Sequence, residues 1–135
     1  HPQARLAPAF DDPRRADHLQ WMCNLANMVQ PLFRQWWYPA EPAGDAHADA
    51  VRAHCAPRIE AQWQRIDAHL SINGPFLLGD APTVADFYLA MLMRWSRNMP
   101  KPATEWPQLA ALAQRMKARP SFAALYAREG LTEWA

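Results

Sequence analysis

Residues that build β-sheet are scarce in this chain of 135 residues: Val, Ile and Thr occur three times each, while Ala is abundant. A pleated, half-buried strand draws on β-branched side chains, so strands are poorly supplied here. Cysteine is sparse too. Cys23 and Cys55 are too few for a disulfide framework and suit a reducing cytoplasm. No apolar run approaches the length of a membrane span, and no signal peptide is visible, which predicts a soluble chain. A formal net charge of +1 excludes a strong sequence-independent grip on nucleic acid or on an anionic membrane surface. The twelve arginines are spread along the chain, as on a solvated surface rather than a nucleic-acid footprint. With only four Gly there is no glycine-rich phosphate loop. What is present is apolar: 50% of the chain is hydrophobic, enough for one core and too much for disorder.

Thirteen prolines sit mostly where helices start or stop. Residues 1–11 lack periodicity and read as a linker or extended arm. Asp12 is expected to cap a helix with Pro13 at its first position. Its apolar stripe is Trp21, Leu25, Met28/Val29, Leu32/Phe33 and Trp36, with a kink expected at Pro31. A second helix, capped by Asp45, runs to about Ile72 on the stripe Ile59, Trp63, Ile66 and Leu70, bent or divided at Pro57. Asn73-Gly74-Pro75 is a stop signal, Gly74 being expected in the left-handed conformation. Phe76-Leu77-Leu78 reads as a buried connector ending at Gly79-Asp80. Thr83-Val84-Ala85-Asp86 is a capping box, in which Thr and Asp satisfy each other's orphan amides. The helix it opens is expected to bury Val84, Phe87, Tyr88, Met91, Leu92 and Trp95. Two further helices follow, from Pro107 with Leu109, Leu112 and Met116, and beyond Arg119-Pro120 with Phe122, Leu125 and Tyr126, stopping at Gly130. The fold class is all-α, a bundle of about five helices.

Little in the residues points to chemistry. No metal site is expected: among the five His and two Cys, His47 and His54 are seven apart, and His54 and Cys55 are adjacent and so splay apart. The histidines read as solvent-facing. Cys23 lies beside an apolar stripe within a helix, not at a helix start, and reads as a buried inert thiol. Asp86 is a cap. What remains is aromatic and soft, including Trp21, Met28, Phe33, Trp36, Trp37, Tyr38, Met91, Met93 and Trp95. Trp36 and Trp37 cannot both face inward, since helix neighbours point about 100° apart. One of them is a candidate pocket wall or subunit interface.

The stretch Gly74-Pro-Phe-Leu-Leu-Gly-Asp80 followed by Thr83-Val-Ala-Asp-Phe-Tyr-Leu89 resembles the all-helical C-terminal domain of the glutathione S-transferase family, bacterial type. The resemblance continues through Arg94-Trp95, Trp106-Pro107-x-Leu109 and Ala118-Arg-Pro120 to Glu129-Gly130, and covers essentially the whole chain. Family members are usually dimers with an N-terminal thioredoxin-like domain. That domain binds the co-substrate glutathione and carries the Cys, Ser or Tyr that activates its thiol. It is absent here, so residues 1–11 resemble the linker leaving it and 12–135 the helical domain. No catalytic residue is expected within the chain, and a beginning at His1-Pro2 fits the C-terminal piece of something longer.

By the same resemblance, Trp95 and Phe33 stand where the family lines its pocket for a small apolar electrophile. Cys23 and Gln30 stand where some bacterial members have an Asn and a His that reach glutathione. Gln30 is common to both sets, able to donate from its amide but unable to act as an acid or base. Thr83 and Asp86 match the family's folding cap. The resemblance implies a cytoplasmic homodimer that joins or transfers the glutathione thiol to apolar electrophiles, with no nucleic-acid or membrane partner. Two other readings are a non-catalytic binding or assembly module, and the ligand-binding half of a helical transcription regulator.

Overall fold

The computed structural model describes residues 2–134. Its long helices are α1 (Arg15–Asn24) continuing into α2 (Gln30–Trp37), α4 (Ala48–Asn73), α5 (Val84–Trp95), α6 (Pro107–Lys117) and α7 (Pro120–Glu129); a four-residue α3 (Ala40–Ala43) lies between the first two rods. The fold is all-α, and among the described residues the sole β feature is an isolated bridge, Phe76 to Gly79.

Several local expectations shift. Asp12 does not cap α1: its Oδ1 accepts the Arg14 amide at 2.8 Å, closing a turn, and the helix begins at Arg15. The side chain bonded its nearest amide before the helix could use it. Nor does Asp45 cap α4; it opens a 3₁₀ turn, Asp45–His47, that leads into the helix. Pro57 leaves α4 undivided, a single helix of 26 residues. The disturbance expected at Pro31 is instead a π-helical turn, Leu25–Val29, in which the Gln30 amide donates to Leu25 O. A π turn widens the helix just ahead of a residue that has no amide to offer.

Gly74 ends α4 in extended backbone, not left-handed, at φ −61° and ψ 178°. Glycine is needed there for space. A Cβ on Gly74 lies 2.4 Å from Leu70 O, the carbonyl to which the Gly74 amide donates. Gly79 closes the Phe76–Gly79 turn at φ +105° and Gly130 ends α7 at φ +61°, both true left-handed demands.

The core forms around α4. Cys55, Ile59, Trp63, Ile66 and Leu70 are all buried, against Phe33 of α2, Leu109, Leu112 and Met116 of α6, and Leu89, Leu92 and Met93 of α5. On α5 the buried face is Ala85, Asp86, Leu89, Ala90, Leu92 and Met93. Of the expected stripe only Leu92 is fully buried; Phe87, Tyr88 and Trp95 are half-buried, and Val84 and Met91 are exposed. The helix is apolar on two adjoining faces, and the one with small Ala residues packs closest. Two further side chains reverse their expected settings. Cys23 is exposed, and His18 is buried with Nδ1 unpartnered.

The capping box forms. Asp86 is wholly buried and takes the Thr83 amide at 2.8 Å through Oδ2 and the Leu77 amide at 2.8 Å through Oδ1. One carboxylate thus starts α5 and holds the 76–79 turn against it. Two other polar groups tie elements together. Asp67 of α4 accepts the Gln108 and Leu109 amides at 2.7 and 3.0 Å, capping α6 from a neighbouring helix. Buried Ser96 donates to Met93 O and accepts the Ala103 amide.

Candidate functional site

A cleft of about 480 Å³ opens between α2 and the C-terminal end of α5. α2 supplies Gln30, Phe33, Arg34 and Trp37, with Tyr38 just beyond its end. Arg94 and Trp95 end α5, and Arg97 follows on the 3₁₀ turn Ser96–Asn98. The floor is aromatic. Phe33 is fully buried and wedged between two indoles, with ring centres 5.8 Å from Trp63 and 6.1 Å from Trp95. Its 83° angle to Trp95 is the edge-to-face arrangement that ring quadrupoles favour. Trp37 stands edge-on to half-buried Trp36 and is the partially exposed member of that pair, as neighbours on a helix require.

Two of the cleft's polar side chains, Gln30 and Arg34, are held by neighbours. Tyr88 Oη donates to Gln30 Oε1, fixing the amide so that its NH₂ is the group left to donate. Burial raises the Tyr88 phenol above its ordinary pKa, so it stays protonated and a donor at neutral pH. Arg34 forks onto Glu41 and lies over the Tyr38 ring at 4.4 Å.

The structure therefore brings Trp95, Phe33 and Gln30 together. Cys23 is left out: it is exposed on α1 and does not line the cleft. Thr83 and Asp86 lie buried at the other end of α5, as structural groups. Arg34, Arg94 and Arg97 are lining residues that an even spread of arginines concealed. Their signal lay in position, with Arg34 beside Phe33, and Arg94 beside Trp95 and three residues from Arg97.

Two other concavities differ in character. The largest, about 640 Å³, lies between α1 and the end of α4; there Trp21 meets His69 edge-on and His69 Nε2 lies 2.9 Å from Leu77 O. It holds none of the aromatic residues that meet in the first cleft. The smallest of the three, about 270 Å³, is a mainly apolar groove that shares Arg94 and Trp95 with the first cleft and is otherwise formed chiefly by Phe87, Met91, Phe122, Leu125 and Trp134. Among the described residues no three His, Cys, Asp or Glu side chains converge as metal ligands, and no helix is long and apolar enough to cross a membrane.

Comparison with known proteins bears on this geometry. Residues 26–129 match the family model for the glutathione S-transferase C-terminal domain. A curated relative, glutathione S-transferase GST-4.5 of Xanthomonas campestris pv. campestris, is 31% identical over 123 residues. That match takes in 87% of this chain but 57% of the relative, so the chain spans little more than half its length. Among solved structures, a glutathione transferase from Methylococcus capsulatus aligns with a TM-score of 0.84 at 25% identity, over 97% of this chain and 62% of that one. A sphingomonad glutathione S-transferase, solved in complex with glutathione, aligns with a TM-score of 0.80 at 26% identity, over 97% and 62% of the two chains.

Proposed function

Because this chain belongs to the glutathione S-transferase family, in its C-terminal domain, we propose that the cleft between α2 and α5 is the acceptor side of a glutathione transfer site. The observation that carries this is the meeting of Trp95, Phe33 and Gln30 in one cleft, with Trp95 edge-to-face on a buried Phe33. A broad indole wall braced from behind suits small flat apolar electrophiles of varied shape, because dispersion and apolar burial make few directional demands.

In this reading residues 1–11 are the linker from a thioredoxin-like domain, which binds glutathione and takes the proton from its thiol. The sulfur then attacks an electrophilic carbon held against Trp95; the new C–S bond forms as the bond to the leaving group breaks. This domain contributes position rather than proton transfer, keeping carbon and sulfur within reach of each other. Gln30, its oxygen occupied by Tyr88, offers its amide hydrogens to glutathione or to a polar substituent of the acceptor. Cys23 does not take part in the acceptor cleft, since it lies outside it. The working molecule is a homodimer in the reducing cytoplasm, the setting that two unbridged cysteines suit.

Steady-state kinetics of Trp95→Ala, with this domain joined to its thioredoxin-like partner, tests the assignment. With 1-chloro-2,4-dinitrobenzene as acceptor, the acceptor KM rises about tenfold, as expected for losing about 1.4 kcal/mol of apolar contact. The glutathione KM changes less than about twofold. Equal losses for both substrates overturn the assignment.

A further inference from the structure

We infer that this cleft selects acceptors bearing an anionic group beside an apolar ring, and that Arg94 and Arg97 hold the anion; this deepens, and rests on, the reading of the cleft as an acceptor site. Three guanidiniums line the cleft and no carboxylate does. Arg34 is accounted for by Glu41, which takes its Nε at 2.9 Å and its Nη2 at 2.5 Å, one carboxylate oxygen each. Arg94 and Arg97 are not balanced in this way. The Nη2 atoms of both approach the same oxygen, Oε1 of Glu133, at 3.2 Å. One carboxylate between two guanidiniums leaves a full positive charge over.

That charge is poorly screened. The Arg94 and Arg97 side chains are only 20% and 22% exposed, against 52% for Glu133. Both Nε atoms are buried without a hydrogen-bond partner, so neither guanidinium is satisfied even with Glu133 in contact. The Arg97 head is also fixed to the main chain of Arg94, because Arg97 Nη1 donates to Arg94 O at 3.1 Å. Glu133 belongs to the tail after α7, where Tyr126 Oη donates to its backbone carbonyl at 3.2 Å. The tail already brings one carboxylate oxygen between the guanidiniums, and the excess charge leaves room for a second anion. Arg94 adjoins Trp95 in the chain and both line the cleft, so ring surface and cationic heads serve one ligand.

A carboxylate here has two sources, the acceptor or glutathione itself, and the experiment separates them. The probes are 2-naphthoate and its neutral counterpart 2-naphthamide, titrated by tryptophan fluorescence and calorimetry at low salt, with glutathione titrated in parallel. Naphthoate is expected to bind about tenfold more tightly than naphthamide. Arg94→Gln and Arg97→Gln remove that preference without weakening naphthamide. Glu133→Gln, on an exposed tail where loss of fold is not a concern, strengthens naphthoate binding severalfold by withdrawing the competing carboxylate. Trp95→Ala weakens both probes.

Equal affinity for the two probes, or no gain in Glu133→Gln, overturns the inference while loss of both probes in Trp95→Ala leaves the acceptor cleft standing. Arginine variants that weaken glutathione but not naphthoate assign the anion to glutathione and overturn it as well. If Trp95→Ala changes neither probe, the cleft is not the acceptor site and both readings fall.

Discussion

The Asp86 carboxylate accepts the Leu77 amide, the Thr83 amide and the Thr83 hydroxyl, all without exposure to water. Removing it strands those donors in the core, a larger loss than forfeiting a solvated contact. Asp86→Ala is expected to cost about 3 kcal/mol in chemical denaturation, and a loss under about 1 kcal/mol contradicts this account. Acid titration divides between two buried groups. Burial, the largest influence, raises Asp86 above 3.8 while its hydrogen bonds pull it down. The native state then takes up that proton more readily than the unfolded chain, so Asp86 does not drive acid unfolding. His18 does. Burial, helped by Arg15, lowers its pKa below 6.5, so the unfolded chain binds the proton more strongly. Stability from His18 is whole above pH 6.5 and falls as pH drops through that value toward the lower native pKa. Denaturation midpoints measured between pH 7.5 and 5 should show this loss, and His18→Gln should flatten it. Asp86 was legible because a capping box is local in sequence. Buried His18 was not, since which face of α1 meets α5 is decided by packing.

Elements were legible where signals were local and strong. The α4 stripe Ile59, Trp63, Ile66 and Leu70 is buried as its spacing demands, and Leu109, Leu112 and Met116 of α6 likewise. On α5 the periodicity misled because two adjoining faces are apolar, and only the neighbours decide which is covered. The cap on α6 comes from Asp67, 41 residues before Gln108, a distance no short motif spans. At the end of α4 the glycine signal was right for another reason. Its open side carries no Cβ because Leu70 O stands 2.4 Å from where one must go, and that atom is backbone. Gly74→Ala is accordingly expected to destabilise by about 3 kcal/mol, well beyond the ordinary preference for Gly at a helix end. A thermal midpoint within about 2 °C of the parent removes steric contact as the explanation.

Across the whole molecule stability is unevenly spread. One cluster joins buried side chains from the π turn to α6, while α7 adds a single buried residue, Tyr126. Hydrogen exchange should find α4 and α5 amides opening only with global unfolding, and α7 amides opening at distinctly lower free energy. Exchange of α7 at the global rate contradicts that ranking. The aromatic half of the cleft was legible, as Phe33 and Trp95 were named from the sequence. Its cationic half was legible only as the spacing of Arg94 and Arg97, since their shared contact with Glu133 forms only once the tail folds back past α7.

The segment before α1 does not hang free: Leu6 O accepts the Val84 amide at 2.7 Å and Pro8 O accepts Arg15 Nη1 at 2.8 Å. The first hydrogen bond fastens the arm to the start of α5, where Asp86 already joins that helix to the end of the α4 connection. A tug on the arm is therefore delivered to the start of α5 before it reaches the helix that follows it in sequence. Whatever is tethered through this arm pulls against the core, not against a loose end.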